Sequence, residues 1–397
     1  MGLAVTSVRG IDAGEIIRAI RVATDRKSET LGLHEPSFNG NEWAYVKECL
    51  DTTMVSSVGK FVDRLEADLE RYCGAAHAVA TMNGTAALHL ALELVGVSEG
   101  DEVLVPTLTF VATANAVRYC GAIPHFVDSE FHTLGLDPAK LAAHLDETAE
   151  LREDGCYNRR SGRRIRAVVP MHTFGHPVDL DPLIEVCERF GLALIEDAAQ
   201  GLGSTYKGRQ VGTFGRAGVL SFNGNKIIST GGGGALLTGD ASLAETAKHL
   251  STTAKRRHPW EYVHDRVGFN YRMPNLNAAV GCAQIEQLAG FVSRKRALAA
   301  RYREAFASVE GVEAFSEPVF ARSNYWLCTV LLESADLEQR NDVLRATAEV
   351  GIQTRPCWSL LHRLPMYADC PRMDLAVAED LNARIINLPS SAELAPT

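Results

Sequence analysis

The chain is 397 residues long and has nine cysteines, yet it contains no CxxC pair and no histidine-rich spacing beside them. It therefore offers neither a disulfide framework nor a zinc site, and buried free thiols in a reducing compartment are expected. No stretch is long and apolar enough to span a bilayer, and no basic segment leads into a signal-peptide core. The expected location is the cytoplasm, with no membrane partner. Positive charge is also in short supply: 40 Lys and Arg face 49 Asp and Glu, for a formal net charge of -9. Nucleic acid is disfavoured as a partner, because binding it normally takes a basic stripe that neutralises phosphates. The familiar nucleotide loops are missing too. There is no GxxxxGK[ST], and the glycines Gly231 to Gly234 do not fall as GxGxxG between a strand and a helix. The opening MGLAVT fits the short myristoylation pattern, but no polybasic patch follows, so a chance match is expected.

What is present is an ordinary globular composition, 46% hydrophobic and 22% charged, with enough chain for two or three domains. IDAGEIIRAIRVA spaces its apolar residues for a short amphipathic helix, and LHEPSFNGNEW then reads as a loop, so the first 50 residues look like an appendage. From about residue 60 the text alternates. FVDRLEADLERYCG is helical, HAVAT strand-like, and NGTAALHLALELVG helical; DEVLVP, FVATANAVRYCG and IPHFVD continue the pattern. RIRAVVPMH, DLDPLIEVCERFG and LALIEDAA repeat it. Strands alternating with helices of this length predict parallel crossovers and an open α/β sheet covered on both faces. After the glycine run, ASLAETAKHLSTTA and AAVGCAQIEQLAGFVSRKRALAARYREAFASV read as long helices. The second leads towards a smaller C-terminal α/β domain around YWLCTVLLE and NDVLRATAEVG.

Ligands of open parallel sheets sit beyond the carboxyl ends of the strands. The residues that follow each predicted strand are therefore the candidates. Asn83-Gly84-Thr85 opens a helix, where backbone N–H groups and a hydroxyl could hold a phosphate; as an ordinary capped turn it would need no ligand. Asp197 ends an apolar strand, so its carboxylate needs a hydrogen-bond or cationic partner, either a local cap or a protonated pyridine nitrogen. Lys226 follows the strand-like AGVLSF. It is either a solvated loop charge or, if desolvated, an amine able to form a Schiff base. The recurrence of a phosphate turn, an aromatic residue, an acid and a lysine at successive strand ends favours the second reading of each.

NGTAAL, GDEVLVPTLTFVATANAV, GAIPHFVD, HTFGHPVDLDPL, IEDAAQGLGSTYKG, GTFGRAGVLSFNGNK and GFNYRMPNLNAA, in this order between Leu33 and Pro389, resemble the DegT/DnrJ/EryC1/StrS aminotransferases. These are fold-type I pyridoxal-phosphate enzymes acting mainly on nucleotide-linked keto sugars. The resemblance implies an N-terminal helix and substrate-lining segment at 1–50, a large mostly parallel sheet domain binding pyridoxal 5'-phosphate at 51–285, and a small C-terminal domain at 286–397. It makes Lys226 the Schiff-base lysine and proton shuttle and Asp197 the partner of the pyridine nitrogen. Phe110 would lie against the ring, Gln200 near the ring hydroxyl, and Gly84, Thr85 and Ser221 at the phosphate. Asn270 would reach the phosphate in a neighbouring subunit, implying a homodimer with shared sites. Glutamate would first give its amino group to the cofactor, and the keto sugar would then take it at carbon 4.

Where the family commonly has Ser-Phe-His and Gly-Glu-Gly-Gly, this chain has Asn223 and Gly232. SFNGNK followed by GGGG is similar to the branch that aminates UDP-linked 4-keto-6-deoxy-N-acetylhexosamine for bacillosamine and legionaminic acid precursors. By the same resemblance Ser56, Ser57, Asn223, Arg355 and Trp358 are substrate contacts. No metal site is expected. A keto-cyclitol or 3-keto sugar substrate and a non-catalytic protein of the same fold are the alternatives; a dehydratase is disfavoured because its family members replace the lysine with histidine.

Overall fold

The computed structural model describes residues 11–27 and 29–395, so the MGLAVT start lies outside the described residues. Two helices lead the chain, α1 (Ala13–Thr24) and α2 (Glu42–Asp51). Asp12 starts α1 by accepting from the Gly14 N–H, as an N-cap should. Helix α3 (Lys60–Cys73) stops at Gly74, which takes the left-handed conformation (φ 67) that closes a helix. Then come β1 (His77–Thr81), α4 (Gly84–Leu94), β2 (Glu102–Pro106), α5 (Val111–Tyr119) and β3 (Ile123–Val127). Helix α6 (Pro138–Thr148) begins with proline in its first turn and Asp137 capping Ala139 and Lys140. The hairpin β4 (Ala149–Arg152) and β5 (Gly155–Asn158) runs into β6 (Arg164–Val168), followed by α7 (Leu180–Phe190) and β7 (Ala193–Asp197). Short strands β8 (Thr205–Tyr206) and β9 (Arg209–Gln210) precede β10 (Ala217–Ser221) and β11 (Gly234–Thr238). Beyond α8 (Ala241–Ser251) runs the 32-residue α9 (Asn275–Phe306). The chain closes with β12 (Val312–Ala314), β13 (Ala321–Arg322), β14 (Cys328–Leu332), α10 (Leu337–Glu349), β15 (Arg355–Pro356), α11 (Ala376–Arg384) and β16 (Ile385–Leu388).

The large sheet has the order β1-β11-β10-β7-β6-β2-β3, with the β4–β5 hairpin attached to β6. All of its main strands are parallel except β11, which runs antiparallel between β1 and β10. Strands β1, β2, β7 and β10 are apolar and almost fully buried, as expected for a sheet covered on both faces. Two apolar layers flank it, one around Leu65, Leu69, Leu220 and Phe291, the other around Leu90, Val105, Val117 and Leu236. A separate antiparallel sheet, β12-β14-β16-β15, forms from the C-terminal part, and residue 285 falls inside α9, which runs between the two.

The N-terminal helix, read from sequence as an appendage, is part of the core beside this smaller sheet. Ile16 and Ile20, both fully buried, pack in one cluster with Leu298, Tyr302 and Val330. Leu31 adds backbone hydrogen bonds to Gly351 and Gln353. Each fully buried aliphatic side chain contributes about 1.5–3 kcal/mol, so α1 is stitched down rather than tethered.

Candidate active site

Four parallel strands deliver their carboxyl ends to one place. After β1 the chain turns at Asn83, whose side chain caps α4 by accepting from the Ala86 N–H at 2.8 Å. Gly84 then begins the helix so close to β10 that an added Cβ would meet the Ser221 Cβ at 3.0 Å. The two phosphate candidates thus touch, with the positive end of α4 between them. Gly234, at the head of β11, is in register with Thr81 on one side and Ser221 on the other. A Cβ there would lie 2.6 Å from the Asn83 carbonyl carbon and the Gly84 nitrogen, so the last residue of the glycine run is required for this close approach. Gly231 supplies a turn at φ 76.

At the end of β7, Asp197 is almost completely buried. Burial pushes its carboxyl above the ordinary value, against a 2.7 Å hydrogen bond from Thr113 Oγ1, a 3.2 Å one from the Ala199 N–H, and the charge of Lys226. Its neighbour Glu196 faces the other way. Burial alone would raise it, but His172 and the N–H groups of Gly212 and Gly215 outweigh that and hold it below its ordinary value. Phe214 N–H adds a further bond at 2.6 Å. One acid therefore anchors the loop after β9, and the other is left facing the cavity.

Lys226 follows β10 by one turn, its N–H bonded to the Asn223 carbonyl at 3.0 Å. The residue as a whole is half-buried, but its amine is desolvated, and this lowers its pKa to about 8 despite the attraction of Asp197. Its Nζ lies 4.2 Å from the ring centroid of Trp326.

Asn83, Gly84, Thr85, Phe110, Met171, Asp197, Gln200, Ser221, Asn223 and Lys226 line one cavity of about 240 Å³. Gly84, Thr85, Phe110, Asp197, Gln200, Ser221, Asn223 and Lys226 among them are the residues that the family resemblance assigns to the site. Gln200 accepts from the Phe174 N–H through Oε1 at 2.7 Å, which leaves its amide N–H groups for the cavity and the Met171 sulfur. Trp358 is stacked on Phe174 at 5.1 Å and stands 6.4 Å from Phe110, beside the cavity rather than in its wall. The other expected residues lie elsewhere in the single chain. Asn270 is exposed and bridged to Thr252, Ser56 is exposed with its carbonyl accepting from the Asn275 N–H, and Arg355 is exposed on β15. Sequence reasoning missed Trp326, which arrives from the segment before β14, and Thr113, one turn into α5. Thr113 was detectable as a polar side chain three residues after Phe110; Trp326 reads as an ordinary strand aromatic.

Outside the cavity, the described residues hold one trio with possible metal ligands, His89, Glu93 and Cys120, whose ligand atoms lie within 4.8 Å of one another. Burial pushes the Cys120 thiol up to about 12, and its proton is donated to the Ala116 carbonyl, so it is not presented as a thiolate.

The residues present fit pyridoxal phosphate on their own chemistry: a cradle at Gly84 that a side chain would fill, a buried carboxylate with no hydrogen-bonded cation, and a desolvated amine. Together with a mostly parallel sheet they define a pyridoxal-phosphate-dependent aminotransferase. The chain belongs to the DegT/DnrJ/EryC1/StrS aminotransferase family, whose profile matches residues 36–397. It is 39% identical over 362 residues to a GDP-perosamine synthase of Escherichia coli O157:H7, covering 91% of this chain and 93% of that protein. It is also 39% identical over 362 residues to a GDP-perosamine synthase of Caulobacter vibrioides, covering 90% and 92%. Among solved structures, the aminotransferase TlmJ from Streptoalloteichus hindustanus superposes with a TM-score of 0.82 at 30% identity, over 91% of this chain and 94% of that one. The chain is a sugar aminotransferase of this family.

Proposed function

We propose that the protein moves the amino group of L-glutamate to carbon 4 of a nucleotide-linked 4-keto-6-deoxy sugar, with Lys226 as the amine that holds the cofactor aldehyde. The observation that carries this is the desolvated Lys226 amine in the same cavity as the buried Asp197 and the Gly84–Ser221 corner. Bound pyridoxal phosphate supplies an aldehyde for the amino group and a ring that takes up negative charge from the carbon losing its proton. The protein does the rest. An amine with a pKa near 8 is partly neutral at working pH, so Lys226 Nζ can accept a proton from one carbon and return it to another. Asp197, buried and facing the cavity, would pair with a protonated ring nitrogen and favour its charged form. The start of α4 at Gly84 and Thr85, with the Ser221 hydroxyl, holds the phosphate. Phe110 would cover the ring, and the Gln200 amide would be available to its hydroxyl.

A cavity of about 240 Å³ is filled by the cofactor, so the nucleotide lies outside it. Ser56, Ser57, Arg355 and Trp358 are the proposed contacts there, with Asn223 a proposed contact from the cavity wall. A homodimer in which Asn270 reaches the second site gives that exposed residue a role. It would also cover the exposed Met54, Val55, Val58 and Met82. SFNGNK and GGGG support a UDP-linked N-acetylated sugar; the GDP-perosamine synthases support a GDP-linked one as the second reading. Incubation with glutamate and matched UDP- and GDP-linked 4-keto sugars, with mass spectrometry of the product, separates them. Amination of neither, with turnover of a 3-keto sugar instead, would overturn the carbon-4 assignment.

A further inference from the structure

We propose that Trp326 is a positioning residue for Lys226, holding the ammonium against the indole face and the preceding loop through the indole N–H. The proposal rests on the reading of Lys226 as the cofactor-bearing amine. Its geometry is direct. The Trp326 ring centroid lies 4.2 Å from Lys226 Nζ, and its Nε1 donates to the Asn225 carbonyl at 2.6 Å. One side chain therefore touches both the amine and the residue before it.

Trp326 is itself held at both of its backbone polar groups. Its N–H donates to Asn324 Oδ1 at 2.7 Å. The Asn324 amide donates to the Gln200 and Leu202 carbonyls, each at 2.8 Å, so the loop after β7 hangs from the same segment as the loop after β10. From below, the fully buried Lys295 donates to the Trp326 carbonyl at 3.1 Å and to the Ser390 carbonyl. A lysine buried with two carbonyls as its hydrogen-bond partners is costly to maintain, and here it fixes the backbone beneath the indole. The two loops that follow Asp197 and Ser221 and carry Gln200 and Lys226 are thus tied to one segment of the C-terminal part of the chain.

The indole has two opposing effects on the amine. Its bulk excludes water, which disfavours the ammonium, and its π face attracts the ammonium, which returns part of that cost. Leucine keeps apolar bulk but removes the face; phenylalanine keeps a face but loses the tether to Asn225. A purely packing role, exerted through bulk that excludes water, would raise the Lys226 midpoint in the smaller Trp326→Leu side chain rather than lower it.

The test is pulse acetylation of the full chain, stripped of cofactor, with Lys226 modification read by peptide mass spectrometry across pH. The wild-type midpoint is expected near 8. Trp326→Leu should lower it by about 0.4–1.5 pH units, and Trp326→Phe should stay close to wild type. A Trp326→Leu midpoint at or above the wild-type value would overturn the proposal. Borohydride reduction of the wild type with pyridoxal phosphate forms the second arm: no adduct on Lys226 would sink the cofactor reading, while the acetylation midpoints would still judge Trp326.

Discussion

Replacing Lys226 with methionine is expected to stabilise the cofactor-free chain. The ordinary lysine value of 10.5 falls to about 8 in the folded protein, a shift of about 2.5 units. At about 1.4 kcal/mol per unit, a fully ionised Lys226 costs the fold at most about 3.5 kcal/mol at pH 7. The residue is only half-buried, so solvent screening reduces this to about 1–2 kcal/mol, and methionine fills much of the same volume without charge. For a chain of this length that is a Tm rise of about 1–3 °C by calorimetry. The sign has a pH signature. Between about pH 8 and 10.5 the unfolded lysine holds a proton that the folded one has released, so the wild type gains stability as pH rises through that window. The advantage of Lys226→Met should therefore shrink from pH 7 to pH 10. A variant no more stable than wild type at pH 7, with no narrowing at higher pH, would refute the claim that the amine is held at a cost. Full activity in the variant would instead refute its catalytic assignment.

Asp197→Asn keeps the shape of the side chain but removes the charge; the half-reaction with glutamate, followed by cofactor absorbance, should slow by about 100-fold or more. Gly234→Ala should weaken pyridoxal phosphate binding and cost about 1–3 kcal/mol of stability, because its Cβ meets backbone at 2.6 Å; an unchanged Kd and Tm would contradict the required close approach. Glu196→Ala should destabilise by about 2–4 kcal/mol by orphaning buried N–H groups. Its folded carboxyl sits below the ordinary value, so that contribution is complete above about pH 4.3 and fades as pH falls through the folded value; the Tm gap to wild type should close in acid. Ile20→Ala should cost about 2–5 kcal/mol in thermal unfolding, whereas an appendage helix would cost almost nothing.

The alternation of β1, β2, β3, β6, β7 and β10 with their helices was legible because each strand is a short, mostly apolar run, and several of those helices carry a side-chain cap or a glycine stop. The residues at strand ends followed from that rhythm, which is why Lys226, Asp197, Ser221 and Gly84 meet as expected. Strand β11 was not read, since four glycines obscure its start and its apolar core is only Ala235, Leu236 and Leu237. Helix α2 is not legible: its first two residues close the loop-like LHEPSFNGNEW, and its burial is weak, with Glu42 and Cys49 its buried residues and Trp43 exposed. Trp326 escaped for a different reason. Its partners, Asn225 and Lys226, are remote in sequence, and no local spacing encodes a contact between the two sheets' connecting segments.

The position of β11 also governs when the site can exist. Strand β1 is an edge strand whose partner in the sheet is β11, so Thr81 waits for Gly234 before it is paired. A ribosome emits β2, β3, β6, β7 and β10 in the meantime, and these can assemble as a parallel block while β1 remains unzipped. The corner made by Gly84 and Ser221 therefore closes late, when an antiparallel strand slides between two parallel ones. Pulse-labelled hydrogen exchange should find Val79, which is in register with Leu236, protected no earlier than Leu236 itself; earlier protection of Val79 would refute this order. On this account the competence to bind a cofactor matures as a final act of folding, and a nascent chain halted before residue 234 has no phosphate corner to offer.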